Sequence, residues 1–183
     1  MPKVNFAFVR KLMMKILVGL AVFGLVVSGS ASNAATPTPK PTVANTSTSV
    51  KGPAGQTLTV SAFKNLVEDQ EVVVTGKGYN LKTGIYVTVC VVPAKGKKPE
   101  ICGAYDITGQ NSQAVWVSSN PPLYAQLLVT PFGKGGTFKV TLPMKQVIHD
   151  NDCKKVRCAI LTRADHTNAA NRKADVLIPI TFK

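Results

Sequence analysis

The chain has 183 residues, a formal net charge of +13 from 22 Lys and Arg against nine Asp and Glu, and four cysteines. Frequent Gly, Pro and β-branched residues, with no long runs of strong helix formers, exclude a mainly helical protein. No Lys/Arg run exceeds two residues, so the charge reads as dispersed and solubilising rather than as a polybasic arm.

Residues 1–15 are basic, with Lys3, Arg10, Lys11 and Lys15, and residues 16–27 (ILVGLAVFGLVV) are uninterruptedly apolar. That run falls short of the roughly 20 residues a membrane span needs and suits the apolar region of a signal peptide. Small residues follow, with Ser32 and Ala34 at −3 and −1. The pattern predicts a signal peptide over residues 1–34, cleaved after Ala34. The rival, an uncleaved anchor helix, is opposed by that small-residue tract. No cysteine lies near the cleavage site to take a lipid. Nor does another apolar run reach membrane length, so the mature chain is expected to be secreted or cell-wall associated, without a membrane span. Without the four leader charges the balance is +9, which attracts polyanions such as anionic wall polymers.

Residues 35–56 are rich in Thr, Pro and Ser with almost no large apolar side chain. Such a stretch buries too little surface to offset its ordering entropy, and reads as a disordered spacer.

From residue 57 the composition changes, and residues 57–183 read as the folded domain. Leu58, Val60 and Ala62 alternate with Thr59 and Ser61, the period-two signature of a half-buried strand. Residues 71–75 (EVVVT) form a second strand, ended by Gly76 and Gly78. After an NLKTG turn, residues 85–92 make a long β-branched strand holding Cys90. Beyond the polar loop at 93–99, residues 101–107, 114–117 and 125–130 are further strand candidates. Phe138, Val140 and Leu142 alternate again, and residues 156–162 and 176–182 close the series, after a polar loop at 164–174. Seven to nine short strands with regular turn signals predict an all-β, immunoglobulin-like antiparallel β-sandwich.

An even cysteine count in a small exported domain reads as two disulfides. Two local pairs are favoured: Cys90 with Cys102 flanking the 93–99 loop, and Cys153 with Cys158. The alternative bridges Cys90 to Cys158 across the sheets with Trp116 packed on it, but Trp116 lies far past the expected place for that tryptophan.

Catalytic patterns of the G-x-S-x-G, H-E-x-x-H and Walker kinds are absent from the sequence. His149, in a His-Asp-Asn-Asp run before Cys153, reads as an Asx-rich turn rather than a metal ligand. His166 has no nucleophile signposted nearby. An enzyme, a cofactor and a metal are therefore not expected. Lys97-Lys98, Lys154-Lys155 and Arg172-Lys173 would form one cationic rim if their loops share an end of the sandwich. Aromatic residues do not interleave with them, so no specific nucleic-acid contact is supported.

Taken together, the run EVVVTGKGY at 71–79, the strand ending at Cys90, the second cysteine at Cys102, a Gly-Gly turn leading into the 138–142 alternation, Cys153-x4-Cys158 and the terminal IPITF resemble the neocarzinostatin family of actinobacterial secreted proteins. The resemblance spans most of residues 57–183. It implies a seven-stranded immunoglobulin-like sandwich, two local disulfides and a non-enzymatic, monomeric, antibiotic-apoprotein-like binding protein. It also implies a cleft beside Cys90–Cys102, faced by Val92, Tyr105, Ile107, Ile160 and Thr162. The departures are local. Val92 stands where chromophore carriers place an aromatic residue, the segment at 144–152 carries no aromatic, and residues 110–132 form an insertion-like stretch with Trp116, Tyr124 and Phe132. These three aromatics are the added candidate contacts for a small apolar or amphipathic ligand. A flat polycyclic ligand loses stacking partners in this version, so the resemblance carries the fold further than the ligand. The alternative reading is a basic cell-envelope protein that binds anionic wall polymers.

Overall fold

The computed structural model of the chain describes residues 46–108 and 112–183. The expected signal peptide and residues 35–45 of the expected spacer lie outside the described residues. The strands, in chain order, are β1 (Thr48–Lys51), β2 (Thr57–Val60), β3 (Glu71–Lys77), β4 (Ile85–Val91), β5 (Ala114–Val117), β6 (Phe138–Pro143), β7 (Val147–Ile148), β8 (Asn151–Asp152), β9 (Cys158–Ala164) and β10 (Val176–Ile180). Two four-stranded antiparallel sheets form, ordered β1-β2-β3-β6 and β10-β9-β4-β5, with β7-β8 as a small separate hairpin. The all-β sandwich read from the alternation is the fold, and both disulfides are the local ones, Cys90–Cys102 and Cys153–Cys158.

Alternation builds the core. In β3 and β6 every second residue is buried, so Val72, Val74, Val140 and Leu142 point inward. They meet Ile85, Val87, Val89, Ile160, Val176 and Ile178 from the other sheet in one apolar cluster. Gly76 pairs with Phe138 across the ladder. A Cβ on Gly76 would lie 2.0 Å from that ring, so the glycine makes room for the aromatic side chain.

Strands β4 and β9 are buried on almost every residue, because their outer face is covered too. Pairing sets which residues share that face. Tyr86 pairs with Trp116 and Arg163, Thr88 with Ala114 and Leu161, and Leu161 with Leu177. The Cys90–Cys102 bridge lies on the same face against Leu161 and Leu177.

The structure departs from the sequence reading in four places. The first sheet begins at Thr48, inside the stretch read as spacer. Val50 packs against the core, and the Ser49 and Thr59 hydroxyls meet at 2.7 Å. Residues 101–107 are not a strand. Cys102 makes a single bridge to Cys90, after which the chain turns away. Residues 125–130 are not one either. Pro121-Pro122 lead into a single 3-10 turn at Leu123–Ala125, and only Thr130 reaches the edge of β5. The polar loop at 164–174 holds two short 3-10 turns, His166–Asn168 and Arg172–Ala174, capped by the side chains of Asp165 and Asn171.

The borders of the second sheet differ. Thr130 flanks β5, donating its N–H to the Trp116 carbonyl at 2.8 Å and accepting from Ser118 N at 3.0 Å. Strand β10, the opposite border, carries the exposed Pro179.

Candidate ligand-binding face

A groove of about 620 Å³ lies beside the edge of β5. Tyr105, Ile107, Ala114, Trp116, Leu127 and Leu128 supply much of its wall, with Asp69 and Lys145 at its polar side. The Tyr105 hydroxyl donates to the Leu128 carbonyl and ties the two wall segments together. Burial, with Asp106 nearby, pushes the Tyr105 phenol above its ordinary pKa. Ile107 and Leu127 are 70% and 99% exposed, so the groove presents bare apolar side chains to solvent. Lys145 is held by Asp69 at 2.5 Å and Glu68 at 3.3 Å, so its charge is offset and one carboxylate is in excess.

An aromatic cluster backs the groove. Trp116 is buried, and its indole N–H donates to Asp165 Oδ2 at 2.8 Å. Asp165 Oδ1 accepts from Thr167 N at 3.0 Å and Thr167 Oγ1 at 2.6 Å, so the buried carboxylate is well supplied with donors. Gly84 permits this approach, since a Cβ there would lie 2.0 Å from Asp165 Oδ2. The Tyr86 ring lies 5.9 Å from Trp116 and 6.0 Å from Tyr105, and Tyr105 meets Trp116 edge-on at 6.2 Å.

His166 joins two phenols: Nδ1 lies 2.7 Å from the Tyr86 hydroxyl and Nε2 3.1 Å from that of Tyr124. A neutral imidazole has one donor and one acceptor nitrogen, so one tyrosine donates to the ring and the other accepts from it. Burial first, and then the Asp165 carboxylate, push the Tyr86 phenol up to about 12, against the opposing pull of Arg163. The Arg163 guanidinium sits 5.7 Å from the Tyr86 ring centre, and its Nη1 donates to the carbonyl of buried Pro99 at 2.9 Å.

Of the residues singled out from the sequence, Tyr105, Ile107 and Trp116 come together in this groove. Tyr124 stands exposed beside the cluster on His166. Val92 is elsewhere, its N–H on the Arg157 carbonyl at 2.7 Å, lining a separate groove of about 240 Å³. Ile160 and Thr162 are fully buried between the sheets. Thr162 donates to the Ala174 carbonyl at 2.8 Å, which leaves its oxygen to accept from Tyr79 at 3.1 Å. The alternation of β9 explains this placement: Ile160 and Thr162 face inward, so Leu161 and Arg163 face out. Phe132 also belongs to the core, 6.3 Å from Tyr79 and 6.2 Å from Phe138. Sequence reasoning missed Tyr86, Arg163, Asp165, Leu127 and Leu128. For Tyr86 a signal existed, since it alternates with the inward Ile85 and Val87.

His149 adopts a positive φ of 50° and sets Nε2 3.1 Å from the Cys102 carbonyl. Among the described residues no group of three or more His, Cys, Asp or Glu assembles for a metal ion. The three basic dipeptides do not share an end. Lys154-Lys155 precede the start of β9, whereas Arg172-Lys173 precede β10, whose first residue Val176 pairs with Thr162 near the far end of β9. No helix among the described residues is long and apolar enough to cross a membrane.

No family model matches the chain, and no curated protein matches it. Among solved structures the chain is similar to macromomycin, at 19% identity and a TM-score of 0.45, over 70% of this chain and 99% of that one.

Proposed function

We propose that this chain is an exported, non-enzymatic binding protein of the neocarzinostatin type, which holds a small apolar or amphipathic ligand in the groove beside β5. One observation carries the reading: Tyr105, Ile107 and Trp116 line one groove of about 620 Å³ together with the solvent-exposed Leu127. Covering exposed apolar area releases about 25 cal/mol per Å², and a concave, mostly apolar wall with a few fixed polar groups is the usual form of a small-molecule site. Tyr105, Trp116 and Asp165 are held by hydrogen bonds, so little ordering is left for a ligand to impose. The two disulfides fit an oxidising compartment, which supports export.

The test uses the lone tryptophan. A panel of lipophilic and polycyclic compounds is titrated while indole emission is followed. Saturable quenching that weakens at least tenfold in the Ile107→Ala/Leu127→Ala variant is expected. No saturable change with any member of the panel, together with no ligand on protein purified from its producer by native mass spectrometry, rejects the reading.

A further inference from the structure

The aromatic cluster behind the groove is joined to two bases, the Asp165 carboxylate and the His166 imidazole. Trp116, the lone tryptophan of the chain, lines the groove and gives its indole N–H to buried Asp165 at 2.8 Å. Two phenols flank it at nearly the same distance. The ring centres of Tyr86 and Tyr105 lie 5.9 and 6.2 Å from that of Trp116. Their hydroxyls differ. That of Tyr105 donates to the Leu128 carbonyl, and a peptide carbonyl is too weak a base to take a phenolic proton. That of Tyr86 faces His166 Nδ1 at 2.7 Å, while Nε2 lies 3.1 Å from the Tyr124 hydroxyl. The shorter contact suits an O–H donor and the longer an N–H donor, so Tyr86 donates to Nδ1 and Nε2–H donates to Tyr124.

Arg163 limits how Tyr86 can be oxidised. Its guanidinium lies 5.7 Å from the Tyr86 ring centre, and a neighbouring cation opposes positive charge on that ring. Tyr86 therefore gives up an electron together with its proton, which His166 is placed to accept. A phenol that loses both is easier to oxidise than an indole, so an electron vacancy on Trp116 runs downhill to Tyr86 rather than to Tyr105.

We propose that Trp116, Tyr86 and His166 form an oxidation relay, which moves a one-electron vacancy from the groove wall onto Tyr86 and so protects the indole. An organic peroxyl radical in the groove takes an electron from the Trp116 indole and is reduced to the peroxide anion. The indole N–H bond breaks, and its proton crosses to Asp165 Oδ2. Tyr86 then returns an electron to the indole, which recovers its proton from Asp165. At the same time the Tyr86 O–H bond breaks and its proton moves to His166 Nδ1. Trp116 and Asp165 end as they began, with Tyr86 a phenoxyl radical and His166 an imidazolium. His166 is exposed and sheds its surplus proton to water. The inference goes beyond the binding reading and does not rest on it.

The experiment needs no groove ligand. A laser pulse at a wavelength that tyrosine does not absorb ejects an electron from Trp116 into air-saturated buffer, where dioxygen takes it up as superoxide. The indolyl and phenoxyl radicals are followed by their separate absorption bands. The indolyl band is expected to decay as the phenoxyl band grows, with one rate constant independent of protein concentration. Tyr86→Phe and His166→Gln, with folding checked by far-ultraviolet circular dichroism, should each slow that decay at least tenfold, whereas Tyr105→Phe should leave it within twofold. After repeated pulses, peptide mass spectrometry should find several times more oxygenated Trp116 in Tyr86→Phe than in the wild type. Indolyl decay without phenoxyl growth, an unchanged rate in Tyr86→Phe or His166→Gln, or equal slowing by Tyr105→Phe would overturn the proposal. None of these results bears on ligand binding in the groove, so the two readings fail separately.

Discussion

The indole N–H of Trp116 and the carboxylate of Asp165, from β5 and the turn after β9, meet at 2.8 Å with both residues buried. Replacing Asp165 by Ala leaves a buried donor unmet and removes the cap on Thr167. Those losses are worth about 1–3 and about 1 kcal/mol. Urea unfolding should show the variant less stable by about 2–4 kcal/mol, with indole emission shifted as Trp116 loosens. Gly84→Ala should produce a similar spectral change, because the added methyl occupies the position of Asp165 Oδ2. Wild-type emission and stability in both variants would show that the contact holds nothing in place.

The two disulfides close chain segments of different length, with sequence separations of 12 and 5. Loop-closure entropy then makes Cys90–Cys102 worth about 3 kcal/mol and Cys153–Cys158 about 2 kcal/mol. Double Cys→Ser variants at each bridge, compared by urea unfolding, should rank in that order. Loss of Cys90–Cys102 should also loosen Leu161 and Leu177, which pack on it. The reverse ranking would mean that strain, not loop length, dominates.

Alkaline pH should destabilise the fold through its phenols. Burial raises the pKa of Tyr86 to about 12 and drives that of Tyr79 higher still, against an ordinary value of 10.0. A phenol whose folded pKa exceeds its unfolded one favours the fold fully below about pH 10. That contribution is lost as pH rises through the folded value. Between pH 10 and about 12 the unfolding midpoint in urea should therefore fall. Tyr86→Phe should flatten part of that slope, and an unchanged slope in the variant would remove Tyr86 from the account.

Strand β1 makes a prediction about where the folded unit begins. A chain starting at Thr57 loses the β1–β2 ladder and the packing of Val50. It should be less stable than one starting at Thr46 by about 1.5–3 kcal/mol, the range for burying one apolar side chain such as valine. Its bare β2 edge should also make it more prone to associate. Urea unfolding and light scattering of the two chains check both effects.

The sheets were legible because period-two burial leaves its mark wherever one face is wet, as in β3 and β6. The local disulfides were legible from spacing and turn chemistry. Legibility failed where that contrast fades. In β9 both faces are buried, so Cys158 to Leu161 is apolar at four consecutive positions, and nothing local tells that Ile160 faces in and Leu161 out. The 101–107 segment has strand-like residues, but only Cys102 pairs with β4 before the chain turns away. Of the groove, the family resemblance pointed to Tyr105 and Ile107, and Trp116 stood out as an aromatic residue of the insertion-like stretch at 110–132. Asp165 looked like an ordinary loop acid, because its partner lies 49 residues away. Leu127 and Leu128 were absorbed into a strand that does not form.

Pro179 has one more consequence. In a border strand, a residue without an amide hydrogen breaks the row of donors that an incoming strand would need. Sideways stacking of one molecule on the next along β10 is thereby interrupted at its middle. That single imino acid acts as a guard against fibre growth from this flank.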